Sequence, residues 1–145
     1  MSLLKNTAIS YGGAAVAMAS DTDSNSSRLD MAGWDGVVFV TTITDCLKTG
    51  VGALTVEGNT TNADGGMAAI SGAVATATSA ANDDLNGQLL IVDVYRPQKR
   101  YVQGVRTSAT ANVAFGEILA IRYRGRKAPV TQGATVAASA FAVGS

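Results

Sequence analysis

Side chains able to carry out catalysis are scarce in this chain of 145 residues, which has no histidine and one cysteine, Cys46. Without histidine there is no His-based triad and no side chain whose ordinary pKa suits a general base near neutral pH. Cys46 has no imidazole to activate it and, beside Leu47, is predicted to be a small core residue. An enzyme built here would depend on carboxylates alone, so we predict a non-enzymatic protein; those available are Asp30, Asp35, Asp45 and Glu57.

Two short segments resemble ligand-binding loops but lack essential residues. Asp21–Asn25 matches the first half of a calcium-binding loop. However, Ser26 stands where glycine makes the sharp turn, and Ala32 stands where a bidentate glutamate closes the site. The pair Gly65-Gly66 is followed neither by the Lys-Ser/Thr of a phosphate-binding loop nor by a predicted helix. We therefore predict no metal and no cofactor.

The most informative group of functional side chains is basic. It begins with Arg96, Lys99 and Arg100 and continues in a later segment that ends at Lys127. At the two-residue period of a strand, Arg122, Arg124 and Arg126 would project from one face. Three interpretations fit such a group: a solvated or aggregation-guarded sheet edge, a surface that binds protein carboxylates, and a nucleic-acid-binding surface.

Nucleic-acid binding is the least favoured of these interpretations because the net charge is zero and few aromatic side chains are left to stack on bases. The charges are unevenly spread: residues 1–95 hold ten acids and three bases, whereas residues 96–145 hold one acid and eight bases. This polarity favours docking onto an acidic protein surface. The predicted docking residues are Arg96, Lys99, Arg100, Arg122, Arg124, Arg126 and Lys127.

The composition favours folding in a reducing compartment, away from membranes. A single cysteine allows no internal disulfide, which is typical of the cytoplasm. No apolar run approaches the length of a membrane span. Lys5 and the later Ala17-Met-Ala19 imitate a signal peptide, but Asn6, Ser10 and Tyr11 make the intervening region too polar, so export is not predicted.

The segment Gln88–Thr107 is predicted to position the first basic residues as a β-hairpin. Leu89–Val94 is an apolar run rich in β-branched side chains, and Pro97 favours a chain reversal into Tyr101–Thr107. Both faces of the first arm are apolar. We therefore expect this arm to lie centrally in its sheet, with its second face covered by another layer or by another protein molecule.

Alternating or continuous apolar runs predict further strands around this segment. The clearest is Val37–Thr44, which follows a turn at Trp34–Gly36 and is apolar on both faces, as in an inner strand. In the strand predicted over residues 113–124, Leu119 is expected to face the core. Other predicted strands are Ala53–Glu57, 72–78 and Val136–Val143. About eight short strands separated by glycine-rich turns indicate an all-β fold, a two-layer antiparallel β-sandwich of the jelly-roll kind.

Residues 1–27 are predicted to form an extended N-terminal arm, and residues 28–145 a single sandwich domain. The arm ends in a polar run, Asp21–Ser27, that buries too little surface to order itself. Its only bulky aliphatic residues would otherwise be exposed to water, so we expect them to bridge to a neighbouring subunit; they are Leu3, Leu4 and Ile9.

Three stretches of this sequence resemble small virion proteins of tailed bacteriophages. They are DVYRPQKRYV (93–102), IRYRGRKAPV (121–130) and RLDMAGWDGVVFV (28–40). The chain is similar in these stretches to the jelly-roll cement, or decoration, proteins that dock on the outside of an expanded capsid. The N-terminal arm and the alanine-rich segment 67–82 do not contribute to the resemblance.

The resemblance implies a structural role in the virion. Cement proteins bridge neighbouring capsid subunits, often as dimers, and stabilise the shell against the pressure of packaged DNA. It therefore implies the major capsid protein and a second copy as partners, with no specific nucleic acid and no membrane. The expected location is the capsid surface, after assembly in the host cytoplasm.

A carbohydrate-binding β-sandwich module, attached to the virion or its tail, is the alternative interpretation. Such a module has the same architecture but needs exposed aromatic rings to stack on sugars. Trp34 and a few tyrosines are the only candidates in this sequence.

Overall fold

Two antiparallel β-sheets face each other in the computed structural model, which describes residues 2–126 and 128–144. A four-residue helix, α1 (Leu3–Asn6), precedes ten strands. They are β1 (Thr7–Gly13), β2 (Val16–Ala19), β3 (Asp23–Asn25), β4 (Leu29–Asp30), β5 (Gly36–Cys46), β6 (Val51–Asn59), β7 (Ala68–Thr78), β8 (Gln88–Tyr95), β9 (Tyr101–Ala109) and β10 (Val113–Tyr123).

The strands are wound as a jelly roll. The first sheet has the order β1-β10-β5-β8, with β2 also paired to β10, and the second has the order β3-β9-β6-β7, with β4 also paired to β9. Pairing is therefore nested, since strands early in the chain pair with strands late in the chain and β6 pairs with its successor β7. This confirms the predicted two-layer antiparallel sandwich of the jelly-roll kind.

The core lies between the two sheets and is built by side chains that alternate along the inner strands. Phe39 from β5 and Ile118 from β10 are fully buried and meet Leu54 and Val56 from β6. The sheets approach closely at Gly104 in β9, where an added Cβ would lie 2.8 Å from Ile118 Cδ1 and 2.9 Å from Phe39 Cδ1. A side chain at this position would therefore force these two core side chains to move, so packing favours glycine here.

The predicted hairpin of residues 88–107 is wrong, although both of its strands exist. β8 pairs with β5 in the first sheet and β9 pairs with β6 in the second, so Arg96–Arg100 crosses from one sheet to the other. A proline turn ends a strand equally well whether the chain reverses within a sheet or crosses the roughly 10 Å between two sheets. β8 is also an edge strand rather than a central one.

The N-terminal 27 residues are part of the sandwich, which corrects the predicted boundary between an extended arm and a domain. β1 and β2 pair with β10, and β3 pairs with β9. The polar run that was expected to stay unordered gains main-chain partners instead: the backbone N–H of Ser26 donates to Gly104 O at 2.7 Å, and Ser108 N–H donates to Thr22 O at 3.0 Å.

The strand predicted over Val136–Val143 is also wrong, since these residues are irregular and mostly exposed. The segment before them runs along the outer edge of β1. The Gln132 side chain donates to Leu4 O and Thr7 O and accepts from Ile9 N–H at 3.0 Å. The Gln132 side chain thus occupies main-chain hydrogen-bonding groups at the edge of β1. These groups are therefore not free to pair with a further strand.

The face assignment in β10 is the reverse of the predicted one. Ile118 and Ala120 are buried in the core, whereas Leu119 is 40% exposed on the outer surface. Register shifts near Phe115 set this orientation, since a bulge changes which residues of a strand face inward. Leu119 is bulkier than its buried neighbour Ala120, so hydrophobicity alone indicated the wrong face.

Candidate interaction surfaces

The outer face of the first sheet is a continuous apolar surface four strands wide. Strand register places Tyr11, Leu119, Val40 and Ile91 side by side across β1, β10, β5 and β8. The next row joins Ile9, Ile121 and Val38, and it ends on Asp93 in β8. We call this surface the outer apolar face; it consists of Ile9, Tyr11, Val38, Val40, Leu89, Ile91, Leu119 and Ile121.

Solvent reaches most of the large side chains of this face. Leu89 is 56% exposed, Ile91 52% and Tyr11 46%. Leu3 of α1 is 63% exposed and lines an adjoining apolar hollow with Val38 and Ile121. The second face of β8 is thus apolar, as predicted, but no other layer of the described chain covers it.

Few charges interrupt the outer apolar face. Asp93 accepts a hydrogen bond from the Tyr123 hydroxyl at 2.6 Å, and burial together with this bond raises the pKa of Tyr123. The Tyr123 ring lies directly over Gly36, where a side chain would collide with it. Glu117 lies in the middle of β10 and is exposed at the border of the face.

A basic end of the sandwich gathers most of the predicted docking residues. Arg96, Lys99, Arg100 and Arg126 line one open cleft of about 510 Å³, together with Trp34. Their proximity arises from the crossover Arg96–Arg100, which lies beside the chain that leaves β10. We call this surface the basic cleft; its four basic residues are Arg96, Lys99, Arg100 and Arg126.

Ion pairs hold two sides of the basic cleft. Arg100 binds both carboxylate oxygens of Asp30 at 2.9 Å, and this bidentate bond lowers the pKa of Asp30 to about 2. Arg124 and Arg126 share Asp35 at 3.6 and 3.7 Å. Among the described residues, neither Arg96 nor Lys99 forms an ion pair.

The predicted stripe of Arg122, Arg124 and Arg126 on one strand face is wrong. Arg122 is half-buried, stacks on the Trp34 ring at 5.1 Å and donates to Asp30 O at 3.0 Å, and burial lowers its pKa. Arg124 lies beyond the end of β10 with φ of 52°, so the two-residue alternation stops before it. Lys127 lies outside the described residues.

Arg106, a basic residue of β9, has a structural role. It is 2% exposed and has no carboxylate partner among the described ion pairs. Its guanidinium donates to Ala14 O at 2.8 Å and Gly116 O at 2.7 Å, while burial lowers its pKa. Arg106 therefore ties β9 to the loop after β1 and to the bulge in β10.

The opposite end of the sandwich is acidic. Asp45 is the second-last residue of β5, and Asp83 and Asp84 lie in the turn that packs on Cys46. A hydrogen bond with Asp45 raises the pKa of Asp83, which reflects two carboxyl groups side by side. β5 separates the two ends by roughly 30 Å at the rise of a strand. Cys46 itself is buried, which confirms its prediction as a core residue.

The described residues contain no group of three or more histidine, cysteine, aspartate or glutamate side chains placed to hold a metal ion. No helix among them is long and apolar enough to cross a membrane.

The three residues predicted to bridge to a neighbouring subunit lie near one another. Ile9 belongs to the outer apolar face, Leu3 borders it, and Leu4 is half-buried beside it in α1.

The fold and these surfaces define a jelly-roll β-sandwich whose distinguishing features lie on its exterior. No family model matches the chain, and no curated protein matches it. Its fold is similar to that of a solved structure described as the PBSX exported protein XepA, with a TM-score of 0.53 and 18% sequence identity. The similarity covers 98% of this chain but 45% of XepA, so this chain spans less than half of that protein.

Proposed function

We propose that this protein is a non-enzymatic structural component of a tailed-phage virion. It docks on the outer surface of the capsid, binds the major capsid protein and stabilises the shell by bridging neighbouring subunits. The phage-derived XepA supports the coarser part of this proposal, a phage-related β-protein. The resemblance of residues 28–130 to cement proteins supports the finer part.

The observation that carries the proposal is the basic cleft. Arginine forks match carboxylates in a bidentate manner, as Arg100 and Asp30 already do within the cleft. Arg96 and Lys99 project from the same crossover without an ion-pair partner among the described residues. An acidic loop of a capsid subunit would supply the carboxylates for these two side chains.

The charges of the basic cleft are expected to contribute more to the orientation of the docked protein than to its binding free energy. Exposed ion pairs contribute about 0–1 kcal/mol each, and salt screens them. Charge complementarity mainly raises the association rate and selects the partner. We therefore expect docking that weakens steeply as the salt concentration rises.

Add-back to particles that lack this chain tests the proposal. Purified protein is mixed with such particles, and the bound fraction is measured after sedimentation. The double variant Arg96→Glu with Lys99→Glu is expected to bind at least about 10-fold more weakly at low salt, because two attractive contacts become repulsive.

A matched control compares one charge reversal at each end of the sandwich. Lys99→Glu and Lys48→Glu change the net charge equally, but Lys48 is exposed near the acidic end. Only Lys99→Glu is expected to weaken docking. Equal binding by both variants and the wild type would refute docking through the basic cleft.

A carbohydrate-binding module remains the second candidate, but the surface favours it less. The Trp34 ring is covered on one side by Arg122, and the exposed Tyr11 and Tyr95 lie on different strands of the first sheet. Titration with glycans separates the two proposals. Saturable binding to a sugar that is lost in a Tyr11→Ala or Tyr95→Ala variant would favour the module.

A further inference from the structure

We infer that the open edge of β8 binds an extended segment of another protein by strand addition, with the segment antiparallel to β8. The segment that fits has an acidic residue at its amino end, a basic residue at its carboxyl end and mainly apolar residues between them. In strand addition, main-chain hydrogen bonds supply affinity and side chains supply specificity. This mode of binding goes beyond the proposed function, because it needs no capsid.

The direction of the main-chain groups of β8 is the first support. Arg96 N–H donates to Asp35 O at 2.7 Å, and Gly87 N–H donates to Ile43 O at 2.8 Å at the other end of the strand. Antiparallel strands alternate between residues that exchange hydrogen bonds and residues that do not, so the continuous register pairs the even-numbered residues of β8 with β5. No described loop hydrogen-bonds to the main chain of the odd-numbered residues. The exposed residues whose N–H and C=O groups point to the open edge are Leu89, Ile91, Asp93 and Tyr95.

The other sheet edges are occupied, short or irregular, which is the second support. The Gln132 side chain occupies the edge of β1, and β3 and β4 have three and two residues. The edge strand β7 contains Gly72 with a φ of 79°, and its register with β6 shifts after Thr55. β8 has eight residues in continuous register, and its one charged side chain, Asp93, accepts a hydrogen bond from Tyr123. β8 therefore lacks the proline, bulge or lysine that commonly protects a sheet edge.

Charges at the two ends of β8 determine which segment fits. Arg96 follows the last residue of β8, Lys99 lies further along the crossover, and neither has an ion-pair partner among the described residues. At the other end, Asp83 lies in the turn before β8, and a hydrogen bond joins its carboxyl group to that of Asp45. The complementary segment has an acid beside Arg96 and a base beside Asp83. Antiparallel pairing places that acid at the amino end of the segment.

The surroundings of β8 also select the side chains between these charges. Residues directly opposite one another lie on the same face of a sheet. Apolar residues opposite Leu89 and Ile91 would therefore extend the outer apolar face, and the residue opposite Asp93 would be polar. An open hollow of about 430 Å³, lined by Ile70 of β7 and Val94 of β8, would receive an apolar side chain on the inner side.

Amide hydrogen exchange of the purified chain, measured by NMR, tests the open edge. In the free protein, the amides of Leu89, Ile91 and Asp93 should exchange at least about 10-fold faster than those of Leu90 and Val92. Equal exchange rates in the two sets would overturn the inference, because the odd-numbered N–H groups would then be protected already.

A peptide as long as β8, with blocked ends and the sequence Glu-Val-Thr-Val-Val-Thr-Val-Lys, is the probe for strand addition. The bound peptide should slow exchange at Leu89, Ile91 and Asp93. A control peptide with the glutamate and lysine exchanged is expected to bind about threefold to tenfold more weakly. No slowing at up to about 1 mM probe would overturn strand addition, and equal affinities of the two peptides would refute selection by charge.

Proline substitutions test the direction of the main chain independently. Ile91→Pro removes an N–H group that points to the open edge, so the variant should fold and bind the probe at least about 10-fold more weakly. Ile91→Thr is the matched control, because it shortens the same side chain and keeps the N–H group. Val92→Pro removes an N–H group that pairs with β5, so it should melt at a lower temperature than Ile91→Pro in circular dichroism.

Equal binding of the probe by Ile91→Pro and Ile91→Thr would refute strand addition. If Ile91→Pro does not fold, the exchange rates of the wild type with and without the probe decide between the outcomes. Particles that bind the chain in the add-back experiment, together with a probe that does not bind, would leave the proposed function in place and overturn strand addition alone.

Discussion

Replacement of Gly104 by alanine tests how closely the two sheets pack. Gly104 lies on β9, and a Cβ built there would stand 2.8 Å from Ile118 Cδ1 and 2.9 Å from Phe39 Cδ1. Carbon atoms pack best at about 3.5–4.0 Å, so each neighbour would have to move by roughly 0.6–1.2 Å. Both side chains are fully buried, which limits that movement.

Two opposing effects determine how much the Gly104→Ala substitution changes the free energy of unfolding. Overpacking of a dense core costs about 1–3 kcal/mol. Replacing glycine with alanine in a strand interior recovers about 0.5–1 kcal/mol, because glycine loses more conformational freedom on folding. Overpacking is the larger effect, so we expect the free energy of unfolding to fall by about 1–2 kcal/mol.

Urea denaturation followed by tryptophan fluorescence measures this difference. Gly133→Ala is the control, because no atom lies within 4 Å of a Cβ at that position. Ile118→Val in the Gly104→Ala background removes the Cδ1 methyl that clashes, and it should restore part of the lost stability. A Gly104→Ala protein as stable as the wild type, or a double variant whose two losses simply add, would refute the close approach.

Three further predictions follow from the assigned faces and buried polar groups. Ile118→Asp should prevent folding, whereas Leu119→Asp should give a folded protein, which solubility and circular dichroism distinguish. Asp30 has a lowered pKa in the folded protein, so its contribution is present above the unfolded pKa of 3.8 and is lost as the pH falls toward about 2. That loss should be under about 1 kcal/mol, because the pair is exposed to solvent, and Asp30→Asn should abolish it in urea melts at each pH. Arg106→Lys should destabilise the fold by about 2–4 kcal/mol, because a lysine cannot reach both carbonyl groups that the guanidinium binds.

Each of these three predictions has a result that would contradict it. A soluble, cooperatively melting Ile118→Asp protein would place Ile118 outside the core. If stability depended on pH in the same way in the Asp30→Asn protein as in the wild type, the bond between Asp30 and Arg100 would not contribute to stability. Arg106→Lys should be compared with Arg28→Lys at the surface; equal stabilities of the two variants would mean that the buried hydrogen bonds of Arg106 contribute little.

The positions of the longer strands, β5 to β10, could be predicted from the sequence because local patterning determines them. The long apolar run before Cys46 and the alternation after Val113 both became strands close to the predicted bounds. Strand pairing could not be predicted in the same way. Pro97 indicates where β8 ends but not whether the next strand lies beside it or across the core, since that choice depends on contacts far apart in the chain.

The surfaces were harder to predict than the strands. The basic residues around Pro97 were found from charge alone, and three of them meet Arg126 in one cleft. Arg122 was misplaced because a two-residue period assumes that an arginine faces water, whereas Trp34 and a backbone carbonyl solvate it inside. Only the β8 part of the outer apolar face was predicted, because Leu119 and Ile121 of β10 have the composition of a core. β7 is also largely exposed, but its small residues form no such apolar surface.

Quantitative mass spectrometry of purified particles, produced from the genome that encodes this chain, tests the central claim most directly. The measurement compares the copy number of the chain with that of the major capsid protein. A simple fixed ratio is expected of a protein that coats the shell and bridges its subunits. Absence of the chain from the particles, or a handful of copies per particle, would contradict the proposed structural role.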